Sequence, residues 1–426
     1  MVDNDIIGGT GAIDDGLRQQ LRYLATLSFY RDRSAAAGVD LERVGTWEEF
    51  RKLPLLTRQE FEACFEKDST WGGFGVPGVV RMNFTTSGGI GLLPEFNTRP
   101  DLAVSAKALA QLARSAGITD QDLVQITLGY HILVAGRLFD EGFAELGACA
   151  IQAGAVSTDQ QLAIAKRAKP NVLMSNPSFA KKLGQAGLRG IHRMILTGEP
   201  FTAIEGRREA LKEAFGGELL SAVDTYGVSE CFPVAAECSA ENGMHLMEEF
   251  CVTEVLDPET GEPVGPGCTG ELVVSHRNKQ AMPFLRYRTG DLAIVERSDC
   301  PCGATWVLPR GVFGRTDNMS KVKGVKFYPG QVAFVLAGFT AVDPRRYRVT
   351  IRLRGGVDNL ELEMVGDSTQ VDYDAIGHRL KEATLISFDK ISAVAELAEG
   401  PVVRDLRRAD AVADGTSTPQ QQGAGQ

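Results

Sequence analysis

The stretch that decides the fold is L-L-S-A-V-D-T-Y-G-V-S-E, residues 219–230. Its apolar beginning is typical of a buried strand, and the polar residues after it mark the carboxyl end of that strand. Open α/β sheets bind ligands at this end of their strands. Tyr226 offers a flat face to a purine ring, Gly227 lets a ligand approach the backbone, and Glu230 supplies a hard oxygen for Mg²⁺. Taken alone, the stretch is also compatible with an ordinary strand-to-helix turn that carries a surface glutamate.

Strand-like runs alternate with helical stretches on both sides of this segment, from about residue 80 to residue 275. Examples are D-L-V-Q-I-T-L at 122–128 and H-R-M-I-L at 192–196. The alternation predicts a parallel sheet covered by helices. Residues 252–295 instead carry short strands broken by turn residues, which predicts antiparallel pairing. We therefore expect an α/β protein whose large N-terminal domain contains mixed and parallel sheets covered by helices, together with an antiparallel subdomain.

The flanking segments indicate two unequal domains and a tail. Residues 12–66 read as amphipathic helices that pack around the large domain, and the Gly-rich, charged stretch at 314–330 is the best candidate for a boundary. We predict an N-terminal domain over 1–316, with its antiparallel region at 235–310, and a small, mobile C-terminal α+β domain over 317–410. Residues 411–426 are low in apolar residues and are expected to be disordered.

The composition excludes several classes of protein. The chain has 426 residues and a net charge of -10 with scattered basic residues, which argues against a nucleic-acid partner. Its apolar runs are too short to cross a membrane, and its first residues carry acid where a signal peptide carries base. We therefore expect a cytoplasmic protein with no membrane partner. In such a chain we expect the eight cysteines to be free thiols or metal ligands rather than disulfides.

Further motifs accompany the central stretch in a fixed order. T-G-E-P at 197–200 lies upstream of it, and R-T-G-D at 288–291 and G-R-T-D at 314–317 lie downstream. This order resembles the adenylate-forming superfamily of AMP-forming acyl-CoA synthetases, and the match is closest to its phenylacetate–CoA ligase branch. The resemblance runs continuously over about residues 20–335, whereas the C-terminal module matches more loosely.

The resemblance implies a nucleotide site. Gly198, Glu199 and Pro200 would line the adenine pocket, Tyr226 would stack on the base and Asp224 would help to hold it. Asp291 and Arg315 would grip the ribose hydroxyls, although a salt bridge between domains is the alternative for this pair. Glu230 would bind Mg²⁺, and Asp317 would be the hinge of the C-terminal domain. The implied nucleotide-binding residues are Thr86, Ser87, Gly88, Gly198, Glu199, Pro200, Asp224, Tyr226, Gly227, Asp291 and Arg315.

The chain departs from the family pattern at two places. The phosphate loop of the family is rich in Ser, Thr and Gly and usually ends in Gly-Lys-Pro, but residues 85–94 here read T-T-S-G-G-I-G-L-L-P. The hydroxyls and glycines still offer donors to phosphate oxygens, and Ser87 is the catalytic candidate among them. The family's C-terminal lysine is absent from residues 400–408, where Arg404 is the nearest substitute cation. Both departures lie in segments that the family uses to handle the triphosphate.

The cysteines provide a candidate metal site. Cys238 and His245 are followed by Cys300 and Cys302, and two such pairs from different loops suit a closed tetrahedral zinc site. A zinc ion with four protein ligands would be structural, because no position is left open for catalysis. The alternative is a set of unconnected thiols and a surface histidine.

The resemblance also implies a pocket for the acid. The resemblance places it near Tyr130, His131 and Phe139 and near the residues that follow Glu230. An aromatic, mostly apolar wall suits an aryl or small apolar acid. His131 would orient a polar substituent, or it is a structural residue. The candidate pocket residues are Tyr130, His131, Phe139, Cys231, Phe232 and Pro233.

The resemblance implies an AMP-forming ligase that uses ATP and Mg²⁺ to activate a carboxylic acid and passes it to a thiol, above all CoA. Two alternatives remain at this point. One is a secondary-metabolism ligase that passes the activated acid to an amine or a carrier protein. The other is a degenerate, non-catalytic relative that binds nucleotide. The sequence is also compatible with a homodimer.

Overall fold

The computed structural model describes residues 11–87, 91–131, 135–316, 320–323, 325–327, 329–354, 357–384, 386–407 and 410. Gly88, the hinge candidate Asp317, the tail at 411–426 and the side chains of Thr86 and Ser87 lie outside this description, so the predictions for them stay predictions. Within the described residues, no helix has the length and apolar character needed to cross a bilayer.

The helices and strands follow one another in the order that the alternation predicts. The helices are α1 (Asp15–Thr26), α2 (Ser28–Ala36), α3 (Trp47–Arg51), α4 (Arg58–Lys67), α5 (Arg99–Ser115), α6 (Ala135–Leu146), α7 (Thr158–Ala168), α8 (Pro177–Gln185), α9 (Arg207–Ala214), α10 (Pro329–Ala337) and α11 (Tyr373–Thr384). The strands are β1 (Val79–Ser87), β2 (Gly91–Thr98), β3 (Leu123–Ile126), β4 (Cys149–Ile151), β5 (Val172–Ser175), β6 (Arg193–Leu196), β7 (Ser221–Val228), β8 (Cys231–Ala236), β9 (Met244–Leu246), β10 (Cys251–Leu256), β11 (Thr269–His276), β12 (Tyr287–Ile294), β13 (Glu296–Arg297), β14 (Trp306–Leu308), β15 (Val312–Arg315), β16 (Ser320–Val322), β17 (Val325–Phe327), β18 (Val342–Arg354), β19 (Val357–Gly366), β20 (Lys390–Val394) and β21 (Val403–Asp405).

A nine-stranded sheet forms the centre of the large unit, with the strand order β13-β14-β9-β8-β7-β6-β5-β3-β4. The strands from β4 to β7 are parallel, whereas β8, β9, β14 and β13 continue the sheet in antiparallel fashion. Strand β5 is buried at every position, as expected for a parallel strand covered on both faces. The predicted mixed and parallel sheet is confirmed.

Helices cover this sheet where the sequence alternates. Ser157 caps α7 through a capping box with Gln160, which explains where that helix begins. Helices α5 and α6 pack closely at Gly142, where an added Cβ would lie 2.4 Å from the Cβ of Leu109. Only glycine permits this approach, so α5 and α6 pack directly against each other at this point.

The antiparallel subdomain is joined to the N-terminal helices by the segment before α4. Leu56 donates its backbone N–H to the carbonyl of Arg286 at 2.8 Å and accepts from the N–H of Arg288 at 2.9 Å. The buried guanidinium of Arg286 also makes a two-point ion pair with Glu254, with both N–O distances at 2.9 Å. Strands β10, β11 and β12 pair antiparallel as predicted, and α4 is thereby fixed beside β12.

The second compact unit contains Ala203–Gly206 and Phe313–Gln426, and the first contains Met1–Thr202 and Arg207–Val312. In the second unit β18 and β19 pair antiparallel, and β21 and β20 add parallel strands at the two edges. Ile376 and Leu380 of α11 are fully buried in its core. The expected small α+β module is therefore present, and the predicted boundary at residue 316 lies just beyond this division.

Candidate active site

The central motif lies at the carboxyl edge of the parallel strands. Strands β6 and β7 are parallel neighbours with Leu196 beside Asp224. T-G-E-P follows the end of β6, whereas D-T-Y-G forms the last part of β7 itself, which runs on to Val228. Gly198 has a φ of +83°, a backbone conformation that side chains rarely adopt, which explains a glycine at this turn. The structure thus brings the two predicted nucleotide motifs together.

Tyr226 and Asp291 form the clearest contact of the candidate nucleotide site. The Tyr226 hydroxyl donates to Asp291 Oδ2 at 2.7 Å, although the residues are 65 positions apart in the sequence. Burial and the neighbouring Asp291 carboxylate raise the pKa of Tyr226 well above its ordinary value, so the phenol stays a neutral donor. Residues predicted to bind the base and the ribose are therefore direct neighbours.

Glu199 holds the turn after β6 through its side chain. Its Oε2 accepts from the Ser178 hydroxyl at 2.5 Å and from Arg207 Nη2 at 2.7 Å. Arg207 also donates to the carbonyl of Pro200. Because the Glu199 carboxylate is engaged within the protein, its contribution to an adenine pocket would come through the backbone that it positions.

Asp224 lies beneath the site and is only 2% exposed. Its Oδ2 accepts from the Thr202 N–H at 2.9 Å, and its own N–H donates to Glu237 Oε2 at 2.8 Å. Burial raises the pKa of the Asp224 carboxyl to about 7, with a smaller rise from the Glu237 carboxylate, against the opposing effect of the Thr202 N–H. Asp224 ties the turn after β6 to β7, and its role in binding adenine stays a prediction.

Glu230 is buried between a cation and a phenol. Its Oε1 accepts from Arg58 Nη1 at 3.1 Å and from the Tyr287 hydroxyl at 3.0 Å. Its second oxygen, Oε2, has no hydrogen-bond partner among the described residues. This arrangement fixes the carboxylate in one orientation and leaves one oxygen available to a cation, which is compatible with the predicted Mg²⁺ site.

An aromatic wall lies beside Glu230. The rings of Phe139 and Phe232 meet edge to face with centroids 5.5 Å apart, and Phe139 is 1% exposed. The hydroxyl of Tyr130 is buried without a hydrogen-bond partner in the described part of the chain, and burial raises its pKa. Cys231 and Pro233 are buried, whereas His131 is exposed. The pairing of Phe139 with Phe232 unites the two separate segments predicted to build the acid pocket.

The four candidate zinc ligands meet at one end of the central sheet. The ligand atoms of Cys238, His245, Cys300 and Cys302 all lie within 4.8 Å of one another. The Cys238 and Cys300 sulfurs are 3.6 Å apart, close to the roughly 3.8 Å that tetrahedral Zn–S bonds require and far from a disulfide. Both ring nitrogens of the buried His245 lack a partner among the residues that the structure describes, and burial lowers its pKa, so the ring is in the neutral, metal-binding form. The donors fit a zinc ion.

Three further parts of the predicted site have a position in the structure. Residues 85–87 lie in β1 and pair with residues 91–93 of β2, so most of the stretch predicted to be the phosphate loop lies in two paired antiparallel strands. Arg315 is exposed at the end of β15, and Arg404 is exposed in β21 beside Thr350. The roles predicted for Ser87, Arg315 and Arg404 therefore stay predictions.

Sequence reasoning missed several residues that shape the site. Arg58 and Tyr287 hold Glu230, and Ser178 and Arg207 hold Glu199. Tyr287 belongs to the R-Y-R-T-G-D stretch, and it directly precedes the R-T-G-D motif that the sequence had already indicated as part of the site. Arg58 gave no such signal, because it lies in an ordinary capped helix and its partner is 172 positions away.

Comparison with known proteins agrees with this geometry. No family model matches the chain. The chain is 30% identical over 365 residues to the phenylacetate-coenzyme A ligase of Thermus thermophilus, covering 82% of this chain and 80% of that protein. It is 28% identical over 386 residues to the Escherichia coli K12 enzyme of the same name, covering 84% and 85%.

A similar solved structure supports the fold. A 2-hydroxyisobutyryl-CoA ligase in the postadenylation state, bound to 2-HIB-AMP, gives a TM-score of 0.75 at 23% identity and covers 94% of this chain and 90% of that one. An open form of that ligase with 2-HIB-AMP and CoA gives a TM-score of 0.78 at 22% identity, covering 92% and 90%. These likenesses concern the fold. Given the similarity to the Thermus enzyme over most of both sequences, the chain belongs to the phenylacetate–CoA ligase family of adenylate-forming enzymes.

Proposed function

We propose that this AMP-forming acid–CoA ligase activates an aryl or small apolar carboxylic acid and transfers the acyl group to CoA. The observation that carries the proposal is the hydrogen bond from Tyr226 to Asp291, because it joins the residues assigned to the base and to the ribose. The aromatic pair of Phe139 and Phe232 supports an aryl or apolar body for the acid. The relatives in Thermus and Escherichia are CoA ligases by name, which favours CoA over an amine or a carrier protein.

The reaction would run in two steps. The carboxylate of the acid attacks the α-phosphorus of ATP, and acyl-AMP and pyrophosphate are formed. The CoA thiol then attacks the acyl carbon, and AMP leaves. Tyr226 and Asp291 would hold the nucleoside through both steps, while the backbone at Gly198 and Pro200 would border the base. Positioning of this kind accelerates both attacks, because the reacting atoms are already aligned.

Two metal ions belong to the proposal. Glu230 would hold Mg²⁺ through Oε2, and the ion when bound would neutralise charge on the phosphates. Cys238, His245, Cys300 and Cys302 would hold a structural Zn²⁺, for which the proximity of the four ligand atoms is the support. The zinc would tie the loop before β14 to the end of β8 and to β9.

Pyrophosphate release tests the proposed function. The purified chain is mixed with ATP, Mg²⁺, CoA and one acid at a time from a panel of benzoic, phenylacetic and short branched acids, and the products are identified by mass spectrometry. We expect acid-dependent release of pyrophosphate and AMP together with an acyl-CoA. AMP binding without pyrophosphate release from any acid would support the non-catalytic alternative. Pyrophosphate release without a thioester would point to another acceptor.

A further inference from the structure

The R-T-G-D motif at 288–291 lies at a bulge of strand β12. The register of β12 against β11 shifts between Glu271 and Val273, so a single β11 residue lies opposite three residues of the motif. Gly290 has a φ of +76° in this bulge, a conformation that side chains rarely adopt. Asp291, the predicted ribose ligand, therefore lies on irregular backbone whose position depends on contacts other than the regular pairing of the two strands.

Glu271 of β11 holds this bulge through its buried carboxylate. Its Oε1 accepts from the Gly290 N–H at 3.0 Å. Its Oε2 accepts from Arg288 Nε at 2.9 Å and from Nη2 of the same guanidinium. Both carboxylate oxygens are thus bonded to the R-T-G-D motif, one to its backbone and the other to its first side chain. Loss of these acceptors would leave the Gly290 N–H and the Arg288 guanidinium without their partner on β11.

Thr289 adds a second contact between β11 and the bulge. Its hydroxyl donates to the Leu272 carbonyl at 2.8 Å and accepts from the Asp291 N–H at 3.0 Å. The Asp291 side chain is held separately, because its Oδ2 accepts from the Tyr226 hydroxyl. The backbone that carries Asp291 is therefore fixed from β11 by Glu271 and Thr289, neither of which is among the residues predicted to bind the nucleotide.

The neighbouring strand β10 carries a similar ion pair that takes no part in this bulge. Glu254 accepts from Arg286 Nε and Nη2, both at 2.9 Å. The side chains of Glu254 and Glu271 are each 3% exposed. Arg286 donates further to the carbonyls of Arg51 and Leu53 in the N-terminal segment. The two glutamates are therefore alike in burial and in partner, and they differ in the backbone that they hold.

We propose that Glu271 positions the Asp291 carboxylate and thereby sets the selectivity of the nucleotide site for the ribose hydroxyls. The inference rests on the proposed function, in which Asp291 binds the ribose. Glu271 does not touch the nucleotide, and it acts through the Gly290 N–H and the Arg288 guanidinium. A shift of about 0.5 Å takes an acceptor out of hydrogen-bond range, so the bulge has to be held closely for Asp291 to bind a hydroxyl group.

The test compares the binding of AMP, 2′-deoxy-AMP and 3′-deoxy-AMP to the full chain by titration calorimetry. For the wild type we expect AMP to bind about 10- to 100-fold more tightly than the weaker deoxy analogue, the effect of one hydrogen bond to a charged group. This ratio compares ligands on one preparation of protein, so an inactive fraction does not alter it. Asp291→Ala is the reference for complete loss of the preference.

Variants of Glu271 assign the preference to the contact with the bulge. Glu271→Met removes both acceptors and is expected to reduce the preference for AMP to about threefold or less. Glu271→Gln keeps an acceptor for the Gly290 N–H but loses the ion pair with Arg288, so its preference is expected to lie between those of Glu271→Met and the wild type. Glu254→Met removes the similar ion pair from β10 and is the matched control, with the wild-type preference expected.

A wild-type preference in either Glu271 variant overturns the inference, and Glu271→Gln decides alone if Glu271→Met does not fold. An equal loss of preference in Glu254→Met also overturns it, because any weakening of the sheet would then have the same effect. AMP binding without a preference in the wild type overturns this inference and leaves the ligase reaction to the measurement of pyrophosphate release. No binding of AMP overturns the proposed function, and this inference with it.

Discussion

Individual residues of the site are held by partners far away in the sequence. Tyr226 and Asp291 belong to motifs whose order predicted a common site, and their hydrogen bond agrees with that expectation. The partners of Glu230 were not predictable in the same way, because Arg58 reaches it from a helix of the N-terminal segment. Long-range ion pairs depend on tertiary packing and leave no periodic trace in the sequence.

Arg58 and Mg²⁺ compete for the same carboxylate in our proposal. We expect Arg58→Met to lower the Mg²⁺ concentration for half-maximal pyrophosphate release by about fivefold, because an unpaired buried carboxylate binds a cation more readily. Arg31→Met is the control, since Arg31 is exposed and forms its ion pair with the neighbouring Asp32. A half-maximal concentration that is unchanged or higher in Arg58→Met contradicts the competition.

Asp224 makes the stability of the fold depend on pH. Its pKa is raised from 3.8 to about 7, so the folded state favours the protonated form and loses stability as pH rises from the unfolded value towards the folded one. Between about pH 5.5 and pH 8.5 this linkage lowers the free energy of unfolding by about 2 kcal/mol. Asp224→Asn keeps an acceptor for the Thr202 N–H and removes the titration.

Urea unfolding of the wild type and of Asp224→Asn at both pH values measures this effect. We expect the difference in unfolding free energy between variant and wild type to move in favour of the variant as pH rises. Other titrating groups are common to both proteins, so they cancel in the difference. A difference that does not change with pH would mean that Asp224 is already ionised at low pH.

Elements of the fold were predictable where their pattern is local. The alternation of apolar runs and helices indicated the parallel strands, and turn residues marked the antiparallel region. The pairing of residues 85–87 with 91–93 was less accessible, because glycines and hydroxyl side chains in that stretch indicate a loop as readily as a hairpin. The meeting of Cys238 and His245 with Cys300 and Cys302 required that β14 pair with β9, which no local pattern specifies.

Zinc binding is the prediction at the scale of elements. We expect native mass spectrometry to find one zinc per chain, and removal by a chelator to lower the melting temperature, because the loop before β14 loses its link to β9. Cys302→Ser is expected to reduce the zinc content, whereas Cys268→Ser, at an exposed thiol outside the cluster, leaves it unchanged. Freshly prepared protein with far less than one zinc per chain would contradict the site.

The molecule as a whole consists of two compact units. The larger unit contains the residues of the candidate active site that contact one another. The α/β class and the family could be predicted from the composition and from the order of the motifs. Each motif consists of residues that are neighbours in the sequence, so it can be recognised without the structure. The ion pair of Glu95 and Lys279, with 3.9 Å between Oε1 and Nζ, was not predicted, since these residues come from β2 and from the loop between β11 and β12. Their proximity is a property of the folded molecule.

Transfer of carboxylate oxygen to AMP tests the proposed ligase reaction most directly. An acid that the enzyme accepts is labelled with heavy oxygen in its carboxylate, and the AMP, pyrophosphate and acyl-CoA formed in unlabelled water are analysed by mass spectrometry. Attack of the carboxylate on the α-phosphorus predicts one labelled oxygen in AMP and none in pyrophosphate. AMP without label, or label recovered in the released phosphates instead, would contradict an acyl-adenylate intermediate and with it the proposed function.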